Sequence, residues 1–317
     1  MNKIKFGVFL PFYAFKAGET FDCVRNVVLE CEQLGYDSVW LDDHLMFEKC
    51  PILECWTTLS ALSSVTSKIR LGTMVLCNGF RNPALLAKMA ATLDVISNGR
   101  LEFGIGAGVQ RDEHVAYGIP FPKPHVRVDR VKETLEIIKN MWTEEKASYK
   151  GKYYSVNEAV CEPKPVQKPH PPITIGGIGE KLMSKVAAQH ADRYDWGYVP
   201  SLELYKHKLD VLESHCKAVG RNFNEIEKSC WLGGQIFIVP NQKELDEKVL
   251  QLKPKSVALE DFKKLNFVAT PGDCVKEIRR YTRLGVTYFM LFFGDLPDMG
   301  GVRLFAETVV KALKTAD

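Results

Sequence analysis

The 317-residue sequence has no apolar run of the roughly 18 residues that a membrane-spanning helix needs. Its first residues, Met1–Phe12, run straight into a strand pattern with no leader-like segment. It has no Lys/Arg-rich run and no basic stripe interleaved with aromatics. With a net charge of only +3, nucleic acid is not an expected partner. CxxC pairs are missing too. The nine cysteines are odd in number and scattered, which argues against a disulfide framework in so long a chain. They read instead as buried small hydrophobes. His44, Cys50 and Cys55 make the nearest approach to a metal set, but their spacing fits no common zinc pattern, so no metal is expected. No Gly-x-Gly-x-x-Gly follows the first apolar stretch, which counts against an open dinucleotide-binding sheet. The expectation is a cytoplasmic protein acting on a small molecule.

What the sequence does contain is alternation. Apolar strand-like runs at Ile4–Leu10, Asp37–Leu41, Ile69–Cys77, Arg100–Gly108, Pro171–Gly177, Arg193–Val199, Cys230–Val239 and Val286–Phe293 are interleaved with helical patterns. Thr20 is a candidate helix N-cap, and Pro83 falls in the first turn of the third helix. Eight such strands with crossover helices predict α/β architecture, a single closed (β/α)8 TIM barrel over residues 1–317. Two insertions are expected, at about 144–171 with a short hairpin and at about 240–270 with Lys-rich helix.

Ligands of such barrels sit at the C-terminal ends of the strands. The first strand ends in Pro11, Phe12 and Tyr13, the second in Asp42, Asp43 and His44, the third in Cys77 through Arg81. The fourth opens into Gly104–Gly108, whose Gly106, Ala107 and Gly108 are small enough to admit a flat ring or a close backbone. The fifth opens into Gly176, Gly177, Ile178 and Gly179 ahead of a helix. Glycine there lets backbone N–H groups approach an anion that the helix dipole favours, so a phosphate is expected. The structural alternatives are a tight turn at the glycines, and an Asp43 cap with His44 packed in a loop.

These pieces together, Gly35–His44, Leu53–Gly108, Glu113–Pro122 and Pro165–Lys181, resemble the luciferase-like monooxygenase superfamily. The chain is most similar to its coenzyme F420-dependent oxidoreductase branch. The resemblance implies a flavin or deazaflavin at the barrel mouth, with its phosphate on the glycine turn. It implies an Asp–His pair, here Asp43 and His44, near the reactive ring. It also implies a non-proline cis peptide in the third strand, here Met74–Val75, and a homodimer. Two departures concern the substrate side. Val109 stands where many members have an aromatic residue and where some have a glutamate; the nearest carboxylate, Glu113, lies four positions on.

The expected chemistry is hydride exchange between F420 and a small organic substrate. His44 moves the accompanying proton, because an imidazole titrates near neutral pH, and Asp43 or Asp42 orients it. Lys164, Lys168 and Lys181 are candidates to meet the acidic tail of F420. The alternatives are an FMN-dependent monooxygenase on the same fold and a flavin-binding protein without catalysis.

Overall fold

The computed structural model describes residues 3–11, 21–47 and 50–314. Phe12, Tyr13 and Thr20 lie outside the described residues.

The chain opens with β1 (Lys5–Leu10), α1 (Phe21–Gln33), β2 (Ser38–Leu41), α2 (Cys55–Val65), β3 (Arg70–Thr73) and β4 (Leu76–Cys77). Next come α3 (Pro83–Ile96), β5 (Leu101–Gly106), the short α4 (Arg111–Ala116), α5 (Pro124–Thr143) and the antiparallel hairpin β6 (Ala147–Lys150) and β7 (Ser155–Ala159). β8 (Ile173–Gly176), α6 (Met183–His190), β9 (Arg193–Asp195), α7 (Leu202–Val219) and β10 (Glu227–Trp231) follow. The second insertion holds β11 (Gln235–Ile238), α8 (Gln242–Leu252), α9 (Leu259–Leu265) and β12 (Asn266–Ala269). Then come α10 (Pro271–Thr282), β13 (Val286–Leu291) and a terminal helix that starts at Gly300 and runs to Lys314.

The barrel strands pair in parallel in the order β3-β2-β1-β13-β10-β9-β8-β5-β4, and β3 also pairs β5, which closes the ring. Because β3 and β4 are one strand interrupted at Met74–Val75, this is an eight-stranded (β/α)8 barrel. Parallel strands covered by helices are buried on both faces, which is why β2 is a continuous buried run rather than an alternating one. Asn82 caps α3 through the Ala84 and Leu85 amides, with Pro83 in the first turn as expected.

The sequence reading differs at the seventh strand. Cys230–Val239 is not one strand. β10 ends at Trp231, and β11 leaves the barrel to pair with β12. The break falls at Gly233 and Gly234, where a Cβ would meet backbone atoms of Gln235 and Leu265 within 2.8 and 2.6 Å. The second insertion therefore contains a strand as well as helices.

The barrel interior has two zones. Phe9, Trp40, Tyr288, Met290 and Phe292 form a separate apolar cluster, with Met74 and Trp231 packed on it. An ion network that is buried at its centre, Arg193 and Glu102, and reaches solvent at Lys5 and Arg70 crosses the barrel at the other zone. Arg193 donates to Glu102 at 2.9 Å and to Glu227 at 2.6 Å, Lys5 reaches Glu227 at 3.0 Å, and Arg70 also binds Glu102. Burial alone would make the Arg193 guanidinium easier to deprotonate, but Glu102, Tyr288 and Glu227 raise its pKa instead. No helix among the described residues is long and apolar enough to cross a membrane.

Candidate active site

β2 delivers Asp42, Asp43 and His44 to the barrel mouth, and the two aspartates are buried. Asp43 does not face His44. Its carboxylate accepts the Cys77 amide at 2.8 Å and both terminal nitrogens of Arg81 at 2.7 and 2.9 Å. Arg81 in turn donates to Glu54, the N-cap of α2. Burial opposes the charge on Arg81, but the hydrogen bond and charge of Asp43 raise its pKa. Asp43 thus ties the end of the second barrel strand to the end of the third. This corrects the expectation that it orients His44.

The imidazole is oriented by Glu113 instead. His44 Nδ1 lies 3.1 and 3.3 Å from the two Glu113 oxygens, and the Leu45 amide donates to the same carboxylate at 3.0 Å. Glu113 is 3% exposed. A carboxylate accepts only, so Nδ1 carries the proton and Nε2 is left with its lone pair. No hydrogen bond engages Nε2 among the described residues. The next residue of α4 serves the third strand. His114 Nδ1 donates to Gln110 O at 2.7 Å, which leaves Nε2 to accept from the Cys77 thiol at 3.5 Å. Burial pushes that thiol up to about 12, so it stays protonated. Phe80 and Phe121 flank the His114 ring, with centroids at 4.9 and 4.8 Å. His114 is therefore a buried helix residue packed against the end of the third barrel strand.

The Met74–Val75 peptide is cis. Val75 projects its methyls against β5 and β8. A Cβ at Gly106 or Gly176 would lie 2.7 Å from a Val75 methyl carbon. Those two glycines leave room for Val75, which is a packing reason rather than an anion-binding one. Gly108, at φ +76°, closes the row; a Cβ there would sit 2.6 Å from the Cys77 sulfur. Ala107 is half-buried beside it.

The turn after β8 is where the anion reading survives. Gly177 takes φ +153°, donates to Asp195 O at 2.9 Å and accepts the Tyr194 hydroxyl at 2.8 Å. A Cβ on it would meet Met183 at 2.9 Å. Ile178 and Gly179 then lie exposed ahead of α6. From α7, Lys208 reaches Ile178 O at 3.3 Å and Glu180 Oε1 at 3.4 Å. Of the lysines expected near this turn, Lys164 and Lys168 precede β8 and bind carbonyls of Met141, Glu144 and Pro165, toward the opposite end of the barrel. Lys181 belongs to the turn and is exposed.

Asp195, at the end of β9, completes the floor of the mouth. Burial raises its pKa, against bonds from Ser229 at 2.6 Å, the Gly197 amide at 2.7 Å and the Trp231 indole at 3.0 Å. Phe9 packs edge-on to Trp231 at 5.0 Å and to Phe292 at 5.7 Å. A cavity of about 920 Å³ lies at the other end of the strands, between Lys3–Lys5, Phe223–Lys228 and Arg279–Thr287, and shares none of these residues.

The description of luciferase-like monooxygenases matches residues 4–262. The chain belongs to that family. It is an enzyme, and an oxidoreductase in class. It is 29% identical over 308 residues to an F420-dependent glucose-6-phosphate dehydrogenase of Microbacterium testaceum, covering 89% of this chain and 90% of that one. A dehydrogenase of the same name from Kineococcus radiotolerans is 32% identical over 213 residues, 65% of this chain and 61% of that protein. Among solved structures, an F420-dependent secondary alcohol dehydrogenase superposes with a TM-score of 0.81 at 23% identity, covering 97% and 98% of the chains. The long-chain alkane monooxygenase LadA does so with 0.81 at 16%, covering 100% and 92%. At such identities these two show the luciferase-like barrel fold alone.

Proposed function

We propose that this luciferase-like enzyme transfers a hydride between coenzyme F420 and a small organic substrate, with His44 as the group that exchanges the proton. The observation that carries the reading is the His44–Glu113 pair. It fixes the imidazole with Nδ1 as donor and presents Nε2, as an acceptor, at the end of β2. Relatives named as F420-dependent dehydrogenases support the choice of cofactor.

The residues fit a flat ring and a phosphate. Val75 fills the room that Gly106 and Gly176 leave and so offers a wall for the ring, and the Ile178 and Gly179 amides, which engage no acceptor among the described residues, lie in the turn that Lys208 reaches. When bound, F420 supplies a site that accepts or returns a hydride. In the oxidative direction, His44 Nε2 takes the substrate hydroxyl proton as the carbon loses its hydride. In the reductive direction the protonated ring returns that proton to a carbonyl oxygen. Glu113 stabilises the cationic ring in both cases, and Phe9, Met74 and Trp231 keep water from the apolar side.

Titration of the purified chain with F420 and with FMN tests the cofactor. Tighter binding of FMN would move the reading to the monooxygenase chemistry that other members of this fold carry. Turnover is then screened over secondary alcohols, sugar phosphates and the matching carbonyl compounds. His44→Ala should bind cofactor within a few-fold of wild type and lose about 10²–10⁴ in turnover. Unimpaired turnover in that variant would remove His44 from the reaction.

A further inference from the structure

Lys208 projects from α7 into the turn after β8 and is 8% exposed. An ammonium has three donors, and ordinary N–H···O bonds measure about 2.7–3.2 Å. Lys208 makes two, at 3.3 Å to Ile178 O and 3.4 Å to Glu180. The contact with Glu180 is an ion pair with a half-exposed carboxylate, and one of the three donors has no acceptor among the described residues, which costs free energy on a buried ammonium unless a further partner arrives. Glu180 is a shared partner, since its other oxygen takes His207 Nε2 at 3.3 Å. In the same turn, the Ile178 and Gly179 amides donate to no acceptor among the described residues. A cation and free N–H groups therefore converge on one short loop.

We propose that Lys208 is the countercharge for a phosphate seated on the Gly177–Glu180 turn, and that Glu180 holds the ammonium in its place until the phosphate arrives. The inference rests on the reading of this turn as the cofactor's phosphate site. No bond is made or broken covalently. The ammonium trades its long contact with Glu180 for charge-assisted bonds to phosphate oxygens, which run shorter, at about 2.7–2.9 Å. Glu180 then stands near the anion as a like charge and sets how tightly it is held.

The test is equilibrium binding of the full chain to two ligand pairs: FMN with riboflavin, and F420 with its phosphate-free deazaflavin core. The first pair differs in phosphate alone. In wild type, the phosphate-bearing member of the pair that binds should be preferred at least about tenfold, or about 1.4 kcal/mol. No preference in wild type would sink the phosphate reading of the turn, and this inference with it. In Lys208→Met the preference should fall below about threefold, with phosphate-free binding unchanged; a preference kept in full overturns the role of Lys208 and leaves the turn intact. Lys208→Arg should retain the preference, and its loss there counts against a countercharge. Glu180→Gln carries the opposite sign and does not depend on the folding of a Lys208 variant. Removing the competing carboxylate should tighten phosphate-bearing ligands by about threefold, whereas unchanged or weaker binding overturns the exchange.

Discussion

His44 and Glu113 form a pair in which geometry decides the chemistry. The carboxylate touches Nδ1 with both oxygens and also holds the Leu45 amide, so it positions the ring and the loop that carries it. Two replacements separate charge from position. Glu113→Gln keeps an acceptor for Nδ1–H but removes the negative charge that stabilises a protonated ring. Glu113→Leu removes both and leaves the Leu45 amide without its partner. We expect turnover to rank wild type, then Gln, then Leu, with the Leu variant down about 10²-fold and cofactor affinity nearly constant, by steady-state kinetics and titration. Equal turnover in all three would leave Glu113 with a structural role only. The sequence made His44 legible, because strand-end polar residues in a barrel mark the mouth. It singled out Glu113 only as the carboxylate nearest Val109 and hid its pairing with His44, because the contact spans 69 positions and α4 is only six residues long, too short for a periodic pattern. His114 was hidden for the same reason.

At the scale of elements, the mouth is held by a bracket between two strand ends. Asp43 at the end of β2 and Arg81 beyond β4 are joined by two bonds, and Arg81 continues to Glu54 at the start of α2. The carboxylate side chain is 1% exposed and that of Arg81 10%, so removing one partner strands a buried charge. Arg81→Met should cost about 3–5 kcal/mol in urea unfolding. The double variant Asp43→Asn with Arg81→Met should recover part of that loss, and strict additivity of the two would show that the pair is not coupled. Alternation of apolar runs with helical patterns was enough to read the barrel, and the hairpin insertion was legible from its turn and proline-rich return. The fate of Cys230–Val239 was not. Apolar runs on either side of two glycines look alike in sequence, and only the close approach of Gln235 and Leu265 backbone to Gly233 and Gly234 shows why the strand must stop. Likewise, the role of Gly106 and Gly176 depends on Val75, which no local pattern links to them.

At the scale of the whole molecule, two acid-sensitive groups lie away from the mouth. Burial pushes the His190 imidazole, at the end of α6, down to about 4, helped by Lys139 and Lys132. Glu136 at 4.0 Å is too far to reverse this. An unfolded histidine titrates near 6.5. Between about pH 6.5 and 4 the unfolded chain therefore binds a proton that the folded chain refuses, and stability falls as pH drops through that window. Below about 4 both states are protonated and this contribution stops changing. Glu227 works lower. Burial raises its pKa, but Arg193 and Lys5 outweigh that and hold it below the ordinary carboxylate value. Its contribution is present above about pH 4.5 and is lost as pH falls through its lowered pKa. Unfolding free energies from urea titrations at pH 7 and pH 5 should differ by about 2 kcal/mol from His190 alone, and His190→Gln should remove that share of the slope. An unchanged slope would place the acid sensitivity elsewhere.

The chain of charges from Lys5 through Glu227, Arg193 and Glu102 to Arg70, buried at its centre, has a further consequence, for traffic. It lies across the barrel between the cavity beside Lys3 and Arg283, which Lys5 and Glu227 line, and the strand ends that carry His44. A ligand that meets His44 does so at the C-terminal ends of the strands, where barrel ligands sit, with that charged layer beneath it. In a site filled from one side, whatever lies deepest goes in first and comes out last. A ring lodged against Val75 would have to be in place before the molecule above it arrives, and that molecule must depart before the ring can be replaced.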